Sequence, residues 1–441
     1  MRQFFIKSYG CQMNSYDSQR IADALLEAGY ESTASMADAN VVIFNTCSIR
    51  EKADEKLFSD LGRARLQKLE AQITGNDFII VVTGCVAQSK SEDIAKRAPY
   101  VDVIAGPQEI HKITEDIKNF EKNNRIIRTE SDAKNKFWHL TNQFFNREVS
   151  EFLTIQEGCN NFCTYCVVPY TRGPEFSRDA ADIIAEAKKL LSLNVKEIIL
   201  LGQNVNSYRG TGTNGKTWDL SRLIFALADL DGLKRLRYTT SNPKDVNENI
   251  AKAHGEVNIL MPFVHLPVQS GSDAVLQRMN RKYSADQYKK CVDLLRDHQS
   301  NIAFSSDFIV GFPGETDEDF QKTLDLVEKI KFAQAYSFKY SPRPGTAAEK
   351  MLNQVPEEKK SERLQILQKI LNDQQSSFNN GYVGQYLNVL ISKCGRHKNQ
   401  LVGRSEYSQS VAICDSYLNI GDVARVKITA AMSHSLVGVV M

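Results

Sequence analysis

Three short apolar segments in the first 90 residues each run into a cysteine, and this repeat limits what the chain can fold into. The segments and their cysteines are residues 4–8 with Cys11, residues 41–44 with Cys47, and residues 78–82 with Cys85. Polar segments of helical character separate them, and successive cysteines are 36 and 38 residues apart. One strand-plus-helix unit takes about 30 residues or more, so the spacing predicts a parallel α/β sheet with a cysteine just past the carboxyl end of each strand.

The ends of neighbouring parallel strands lie at one edge of a sheet, where ligands of open α/β domains bind. We therefore expect the thiols of Cys11, Cys47 and Cys85 to lie close together and to hold one group. Gly10 and Gly84 suit a chain that bends closely around such a group. The alternative is three separate buried cysteines, since free cysteine is among the most buried residue types.

Helix and strand signals fill the rest of this region. Asn14 or Ser15 is expected to cap a helix that runs to about Ala28, and Gly29 is expected to end it. Residues 101–104 form a fourth apolar segment, which predicts a fourth strand.

A second set of cysteines, Cys159, Cys163 and Cys166, has the spacing C-x3-C-x2-C directly after an apolar segment at residues 151–156. Three thiolates on one loop can hold three irons of a cubane cluster, whose full ligation takes four cysteines, so one iron would remain open. An open coordination position is typical of catalytic metal sites. Structural zinc is the alternative, but it prefers paired ligands, and the nearest upstream histidine is His139.

This loop, placed after the first strand of an α/β region, resembles that of the radical S-adenosylmethionine (SAM) enzymes. The resemblance implies a [4Fe-4S] cluster whose open iron binds the amino and carboxylate groups of SAM. It also implies that the reduced cluster splits SAM into methionine and a 5′-deoxyadenosyl radical, which abstracts hydrogen from carbon.

The three upstream cysteines narrow the resemblance to the radical SAM methylthiotransferases, and four segments are most similar to the tRNA branch (MiaB). The segments are SYGCQMN at residues 8–14, NTCSIREKA at 45–53, LGQNVNSY at 201–208 and HLPVQSGS at 265–272. The resemblance implies two [4Fe-4S] clusters and methylthiolation of C2 of N6-isopentenyladenosine at tRNA position 37. One SAM would methylate sulfur on the Cys11/Cys47/Cys85 cluster, and another would supply the radical. The same chemistry on threonylcarbamoyladenosine or on an aspartate of a ribosomal protein, and a non-catalytic RNA-binding protein, are the alternatives.

Alternating strands and helices between residues 151 and 340 predict six β/α units in a partial barrel, with the cluster loop after the first strand. The resemblance implies that Gln269, Arg281 and Asp307 contact SAM, and a guanidinium is a good partner for the SAM carboxylate. The alternatives are a solvated helix-end charge for Arg281 and no cofactor role for Asp307. No catalytic residue is assigned beyond the cluster ligands.

Residues 210–217 satisfy the pattern G-x4-G-K-[ST] of nucleotide-binding loops. A true loop of that kind runs directly from a strand into a helix that starts at the lysine. Here about eight residues follow the predicted strand, and the next helix is expected from Asp219. We therefore expect a flexible loop at the barrel mouth.

Beyond residue 382, short apolar segments between glycines predict a small β-barrel, with strands at residues 386–392, 410–413, 423–429 and 436–440. It resembles the TRAM domain, an RNA-binding barrel. Such barrels combine positive charge with aromatic platforms, and residues 376–441 hold six Lys and Arg against three Asp and Glu. Tyr382, Tyr386, Tyr407 and Tyr417 are candidates to stack on bases. A purely structural module is the alternative.

The predicted fold class is α/β, in four segments. These are an N-terminal open parallel α/β domain at 1–120, a linker at 121–145, a partial TIM-like radical SAM barrel at 146–375 and a small all-β barrel at 376–441. The chain has a net charge of +2, so any nucleic-acid surface must be local. We expect a cytoplasmic monomer without a membrane partner, since no apolar run suits a bilayer and the N-terminus turns polar early. The expected partners are the tRNA anticodon stem-loop and an electron donor such as flavodoxin or ferredoxin.

Overall fold

A computed structural model describes residues 2–48, 53–120, 124–130, 132–414 and 417–440. Part of the segment at residues 45–53, namely 49–52, therefore lies outside the described residues. The chain divides into two compact units. The first contains Met1–Asn146, Gln156–Asn160 and Val167–Arg178, and the second contains Arg147–Ile155, Asn161–Cys166 and Asp179–Met441. The limits of the four predicted segments stay a prediction.

The secondary structure alternates between strands and helices until about residue 380 and is then all strand. In chain order the strands are β1 Gln3–Ser8, β2 Glu31–Ser32, β3 Val41–Thr46, β4 Ile79–Gly84, β5 Val103–Ala105, β6 Ile126–Arg128, β7 Ser150–Thr154, β8 Gln156–Glu157, β9 Phe176–Ser177, β10 Glu197–Leu201, β11 Gly210–Thr211, β12 Thr217–Trp218, β13 Arg235–Thr239, β14 Phe263–His265, β15 Ala303–Val310, β16 Gln334–Lys339, β17 Tyr386–Cys394, β18 Gln400–Ser405, β19 Ser410–Cys414, β20 Val423–Ala431 and β21 Ser435–Val440. The α-helices are α1 Gln12–Glu27, α2 Ala53–Ile73, α3 Cys85–Ser89, α4 Ser91–Arg97, α5 Ile113–Lys118, α6 Ala133–His139, α7 Val168–Thr171, α8 Ala180–Ser192, α9 Leu220–Ala228, α10 Glu248–Glu256, α11 Asp273–Arg278, α12 Ala285–His298, α13 Asp317–Ile330 and α14 Glu357–Asn380.

The first unit is built on a six-stranded parallel sheet in the order β2-β1-β3-β4-β5-β6. Every residue of β3 and β4 is buried, because alternate side chains face opposite sides and both sides are covered. Phe44 and Val82 pack on one side with Leu61 of α2, whereas Ile43 packs on the other side with Leu25 of α1. The prediction of a parallel α/β sheet is confirmed.

Helix α1 begins earlier than predicted. It starts at Gln12, and its N-cap is Cys11, whose backbone is extended and whose side chain makes no cap hydrogen bond. Asn14 therefore lies inside the helix, and the prediction that Asn14 or Ser15 caps it was wrong. Gly29 follows the helix with φ +88°, the left-handed conformation that glycine adopts without strain, as predicted.

The second unit contains six parallel strands in sequence order. Strands β7, β10 and β13 form one sheet, and β14, β15 and β16 form another. A parallel bridge between Leu236 and Leu260 links β13 to the segment just before β14. The helices between these strands make the unit the β/α partial barrel that the alternation predicts.

The segment at residues 210–217 is a hairpin, so the prediction of a flexible loop was wrong. Strands β11 and β12 pair antiparallel, and Gly212 donates its N–H to the carbonyl oxygen of Lys216 at 2.8 Å. The helix that follows is α9, with the Asp219 carboxylate accepting from the N–H of Arg222 at 2.9 Å. Lys216 thus lies in a turn away from the helix N-terminus, unlike the lysine of a nucleotide-binding loop.

The C-terminal strands close into a barrel in the order β17-β18-β19-β21-β20. The predicted small barrel is confirmed, although β18 was missed. Two arginines of β13 hold the barrel by donating to its backbone. Arg235 donates to the carbonyl oxygens of Arg404 and Asn388, and Arg237 donates to those of Ser405 and Glu406. Burial lowers the pKa of Arg235 to about 10.

In the part of the chain that the structure describes, no helix combines the length and the hydropathy that crossing a membrane requires.

Glu315 lies buried in the turn between β15 and α13. Its carboxylate accepts from the backbone N–H of Gly311 and, at 3.1 Å, from that of Phe312. The guanidinium of Arg363 on α14 lies 3.5 Å away. Burial nevertheless dominates and raises the pKa of Glu315 to about 7. The folded protein therefore binds a proton here in a pH range where the unfolded chain has released it.

We expect wild-type stability to fall, relative to a Glu315→Gln variant, as pH rises from about 4.5 to about 7, by at most about 3 kcal/mol. The measurement is the melting temperature of both proteins between pH 5 and pH 8. The exposed Glu318 is the control, because its pKa is lowered and it stays ionised throughout this range. A difference between wild type and Glu315→Gln that does not change with pH would contradict the assignment.

Candidate active site

The first cysteine set lies at one edge of the six-stranded sheet. Strands β1, β3 and β4 are adjacent and parallel, with Ser8 paired to Asn45 and Thr46 paired to Gly84. Cys11, Cys47 and Cys85 follow these three strand ends. The structure thus brings the three predicted positions to one edge, as expected from the parallel topology.

The thiols at this edge interact with one another. A hydrogen bond from Cys47 is the main cause that lowers the pKa of Cys11 to about 6, and the Arg172 guanidinium acts in the same direction against burial. Burial raises the pKa of Cys85, although Arg172 opposes it. Within the described residues, no three His, Cys, Asp or Glu side chains converge on a point as ligands of one metal ion do. A cubane cluster does not need this, because each thiolate binds a different iron.

Two glycines allow the chain to approach this edge closely. Gly10 has φ +96°, and a Cβ there would lie 2.3 Å from Cys47 Cβ and 2.4 Å from its sulfur. Gly84 has φ +94°, and its Cβ would lie 2.3 Å from the carbonyl oxygen of Thr46. Any side chain at either position would displace a neighbour, so the donor set and the space around it fit a group held by three thiolates.

A buried set of four charges, which we call the charge quartet, lies beside these cysteines. It consists of two cations and two carboxylates: Arg172, Lys136, Asp17 and Glu157. Each of these side chains is at most 2% exposed. Lys136 and Arg172 each bond to both Asp17 and Glu157, at 2.7 to 2.8 Å. The charges therefore balance within the quartet, as buried ions require.

Asn14 connects the quartet to the cysteine edge. Its side-chain N–H groups donate to the carbonyl oxygens of Tyr9 and Thr46, at 3.0 and 2.8 Å. Its side-chain oxygen accepts from Arg172 at 3.0 Å and lies 3.4 Å from the sulfur of Cys11. Asn14 thus ties the ends of β1 and β3 to Arg172, a role that its predicted capping function did not anticipate.

The second cysteine set occupies the loop after β8. Cys159 belongs to the first unit and donates its N–H to the carbonyl oxygen of Gly173 at 3.2 Å. Cys163 and Cys166 belong to the second unit, where the N–H of Cys166 donates to the carbonyl oxygen of Cys163 at 2.9 Å. All three side chains are partly exposed.

Arg281 is placed directly against one of these cysteines. Its guanidinium donates to the sulfur of Cys163 at 3.3 Å and to the carbonyl oxygen of Pro267 at 3.2 Å. The hydroxyl of Tyr283 accepts from its Nε at 2.8 Å. Arg281 is therefore a fixed, largely buried cation beside the loop and not a solvated helix-end charge.

Gln269 and Asp307 meet through the backbone. The N–H of Gln269 donates to the carbonyl oxygen of Asp307 at 2.9 Å, and the carbonyl oxygen of Gln269 accepts from Ile309 at 3.0 Å. Gln269 has φ +72°, an uncommon conformation for a residue with a side chain. The Asp307 carboxylate lies 3.4 Å from Nε2 of His265, a neighbour that the sequence did not reveal. The structure thus places Gln269, four residues past β14, beside Asp307 within β15.

The four candidate tyrosines of the C-terminal barrel separate into two pairs. Tyr407 is buried, and its ring packs against Tyr382 at 5.2 Å between ring centroids. Tyr386 and Tyr417 instead line an open groove of about 560 Å³, which we call the tyrosine groove. Arg425 lies over the ring of Tyr386 at 4.7 Å. The exposed rings of Tyr386 and Tyr417 fit the prediction of base stacking, whereas Tyr407 belongs to the barrel core and the partly buried Tyr382 packs against it.

Three family models match the chain. The radical SAM superfamily matches residues 153–327, the uncharacterized protein family UPF0004 matches residues 3–106, and the TRAM domain matches residues 381–441. A protein of Bartonella bacilliformis named tRNA-2-methylthio-N(6)-dimethylallyladenosine synthase is 50% identical over 99% of this chain and 96% of its own. A protein of Agrobacterium fabrum with the same name is 49% identical over the same shares of both chains.

The chain belongs to the tRNA-2-methylthio-N(6)-dimethylallyladenosine synthase family (MiaB). It is a radical SAM enzyme, and radical SAM proteins use SAM and a [4Fe-4S] cluster. The predicted MiaB resemblance and the predicted radical SAM and TRAM regions are thereby confirmed.

Solved structures share the fold at low sequence identity. The radical SAM methyltransferase TsrM of Kitasatospora setae, solved with cobalamin and a [4Fe-4S] cluster, aligns with a TM-score of 0.56 at 14% identity, over 79% of this chain and 77% of its own. The cobalamin-dependent radical SAM enzyme OxsB aligns with a TM-score of 0.53 at 12% identity, over 84% of this chain and 56% of its own. MiaB family membership therefore rests on the full-length relatives, and these structures support the fold.

The close approach of Gly10 to Cys47 predicts that a side chain at position 10 lowers the stability of the protein. We expect Gly10→Ala to destabilise the protein by about 1–3 kcal/mol more than Gly29→Ala, because the added Cβ meets Cys47. Gly29 is a matched control, since it also has positive φ but no atom within 4 Å of a built Cβ, so its substitution carries backbone strain alone. Thermal unfolding and iron content after reconstitution measure the effect. Equal losses in both variants would contradict it.

Proposed function

We propose that this chain methylthiolates C2 of N6-isopentenyladenosine at position 37 of tRNA. The observation that carries the proposal is the presence of two separate sets of three cysteines. One set lies at the edge of a parallel sheet, and the other has the C-x3-C-x2-C spacing. The relatives' printed name describes a 2-methylthio product on a dimethylallyladenosine of tRNA. The set with the C-x3-C-x2-C spacing would hold the cluster that generates the radical. The set at the sheet edge would hold the sulfur that is transferred.

Each cysteine set would hold one [4Fe-4S] cluster. Cys159, Cys163 and Cys166 would ligate the SAM-binding cluster, and Cys11, Cys47 and Cys85 would ligate the auxiliary cluster. When bound, SAM and the two clusters would supply three things: the methyl group, the sulfur, and the radical that removes the C2 hydrogen. A general base could not remove this hydrogen, because an aromatic C–H is not acidic.

The residues near the SAM-binding loop would hold SAM. Arg281 already donates to the sulfur of Cys163, and its remaining N–H groups suit the SAM carboxylate. Gln269 lies four residues past the carboxyl end of β14 and beside Asp307, which lies within β15 three residues before its carboxyl end. The carboxyl ends of the strands are the position of active sites in β/α barrels. The geometry of the second unit and the family pattern support these assignments.

The substrate base must leave its stack to reach a site inside a barrel. This is easier for a base in a single-stranded anticodon loop than for one in a helix. Exclusion of water from the site would protect the radical from side reactions.

The remaining partners follow from the chemistry. The SAM-binding cluster needs an electron donor, such as flavodoxin or ferredoxin. The enzyme would act as a monomer in the cytoplasm, where tRNA and reducing conditions are found.

The tyrosine groove would bind RNA outside the reacting base. Tyr417 is 79% exposed, and Arg425 places a cation against the ring of Tyr386. Lys427 is exposed on the same face of β20, two residues beyond Arg425. Asp422 also lines the groove, but its carboxylate accepts from the N–H of Asn419 at 2.8 Å. Proteins that bind single-stranded RNA combine aromatic rings, on which bases stack, with cations that contact the phosphate backbone.

We expect Tyr417→Ala and Tyr386→Ala each to weaken binding of an anticodon stem-loop by about tenfold, the value of one stacked base. Phe225→Ala is a matched control, because Phe225 on α9 has 37% exposure against 38% for Tyr386. Fluorescence anisotropy with the stem-loop RNA measures the effect. A loss of affinity of the same size in the control would contradict a role for the groove.

The decisive experiment is anaerobic reconstitution followed by iron and sulfide analysis. We expect about eight irons in the wild type and about four in a Cys159/Cys163/Cys166→Ala variant. Cys291/Cys394/Cys414→Ala is the matched control, because it removes the three cysteines outside both sets and should keep about eight. A wild type with only about four irons, all lost in the first variant, would overturn the auxiliary cluster.

The substrate is then tested with SAM, dithionite and tRNA carrying N6-isopentenyladenosine. Mass spectrometry of the digested nucleosides should show the 2-methylthio product with the wild type and with the control variant, and none with the variant lacking the SAM-binding cysteines. Product on threonylcarbamoyladenosine, or on an aspartate of a ribosomal protein, would assign another branch. SAM that stays intact under reduction would indicate a non-catalytic role.

A further inference from the structure

Arg172 lies six residues after Cys166 in the sequence but contacts the other cysteine set. It directly follows α7, and α7 packs against α3, the helix that starts at Cys85. Nη2 of Arg172 donates to the side-chain oxygen of Asn14 at 3.0 Å, and that oxygen lies 3.4 Å from the sulfur of Cys11. The guanidinium also acts electrostatically on Cys85 and Cys11. The segment just past the C-x3-C-x2-C loop thus supplies a cation to the sheet edge.

Three hydrogen bonds from the guanidinium fix the orientation of this cation. Its Nη1 donates to Glu157 at 2.7 Å, and its Nη2 donates to Asp17 at 2.8 Å and to Asn14 at 3.0 Å. The carbonyl oxygen of Arg172 also accepts from Gln108 at 2.9 Å. Because the side chain is 2% exposed, water cannot screen its charge.

The two cations of the quartet, Lys136 and Arg172, differ in their contacts outside it. Both cations are buried, and both bond to Asp17 and Glu157. Lys136 bonds only within the quartet in the contacts that the described residues show. Arg172 bonds to the quartet and also to Asn14, whose side-chain oxygen lies 3.4 Å from the sulfur of Cys11. A quartet needed only for stability would not require one of its cations to act on the thiols of Cys11 and Cys85.

We infer that Arg172 is a positioning residue of the auxiliary site, whose fixed guanidinium stabilises the reduced form of the iron–sulfur group held by Cys11, Cys47 and Cys85. Reduction adds negative charge, and a nearby fixed cation or an N–H donor to a ligand sulfur favours the more negative state. The inference rests on the proposed function for the identity of that group. It goes beyond that function by assigning control of its reduction potential to a residue outside the N-terminal α/β region.

The test uses the full-length Cys159/Cys163/Cys166→Ala protein, so that only the auxiliary cluster contributes a signal. Two double variants are compared in this background, E157Q/R172Q and K136Q/E157Q. Each removes one carboxylate and one cation from the quartet, so each keeps the buried charges balanced. They differ only in which cation is lost.

The readout is a dithionite titration of the reconstituted cluster followed by electron paramagnetic resonance, with iron counted in each sample. We expect the midpoint potential of E157Q/R172Q to shift to a more negative value, while K136Q/E157Q stays at the parent value. Arg172→Lys keeps the charge but not the forked N–H donors, so its midpoint potential should lie between those of the parent and E157Q/R172Q. Iron loss confined to E157Q/R172Q would overturn the inference, since Arg172 would then be needed to assemble the site and not to set its reduction potential.

Two further results would overturn the inference. Equal potentials in the two double variants at full iron content would make Arg172 a purely structural member of the quartet. Equal iron loss in both would assign the effect to the quartet as a whole. Absence of iron in the parent protein is a different failure, because it removes the auxiliary cluster, and with it both the proposed function and this inference.

Discussion

The parallel hydrogen bonding between β1, β3 and β4 is the constraint on which the candidate chemistry depends. Cys11, Cys47 and Cys85 are far apart in the sequence, and they meet because each follows a strand whose end is set by the register of its neighbour. Parallel strands require crossover connections, so only a doubly covered sheet brings such distant thiols together. The backbone pairing thus determines that the three cysteines lie at one edge, and side-chain contacts adjust their positions there.

The sequence predicts this edge well because the signal is local and repeated. Apolar runs followed by cysteines at regular spacing imply strand ends, and the topology supplies the rest. Asn14 shows where local signals fail. Its capping role was predicted from its type, but the helix starts earlier at Gln12, and the buried side chain instead bridges two strand ends and Arg172.

Contacts between distant residues were beyond the reach of a single sequence. Lys136 and Asp17 are 119 residues apart, and Arg172 and Asp17 are 155 residues apart. Nothing in their local surroundings distinguishes them from the many exposed charges of the chain. In the C-terminal barrel the tyrosines were recognised by type, but Tyr407 lies after the missed strand β18, so its inward orientation could not be derived from the pattern.

The docking of the C-terminal barrel has a consequence for how this module can diverge. Arg235 and Arg237 donate hydrogen bonds to carbonyl oxygens of the barrel backbone. Every amino acid supplies such a carbonyl oxygen, whatever its side chain. The surface side chains of β17 and β18 can therefore change to suit a different RNA while the attachment survives. Insertions or deletions in these strands would move the carbonyls out of reach, so the attachment tolerates new residues but not a new strand length.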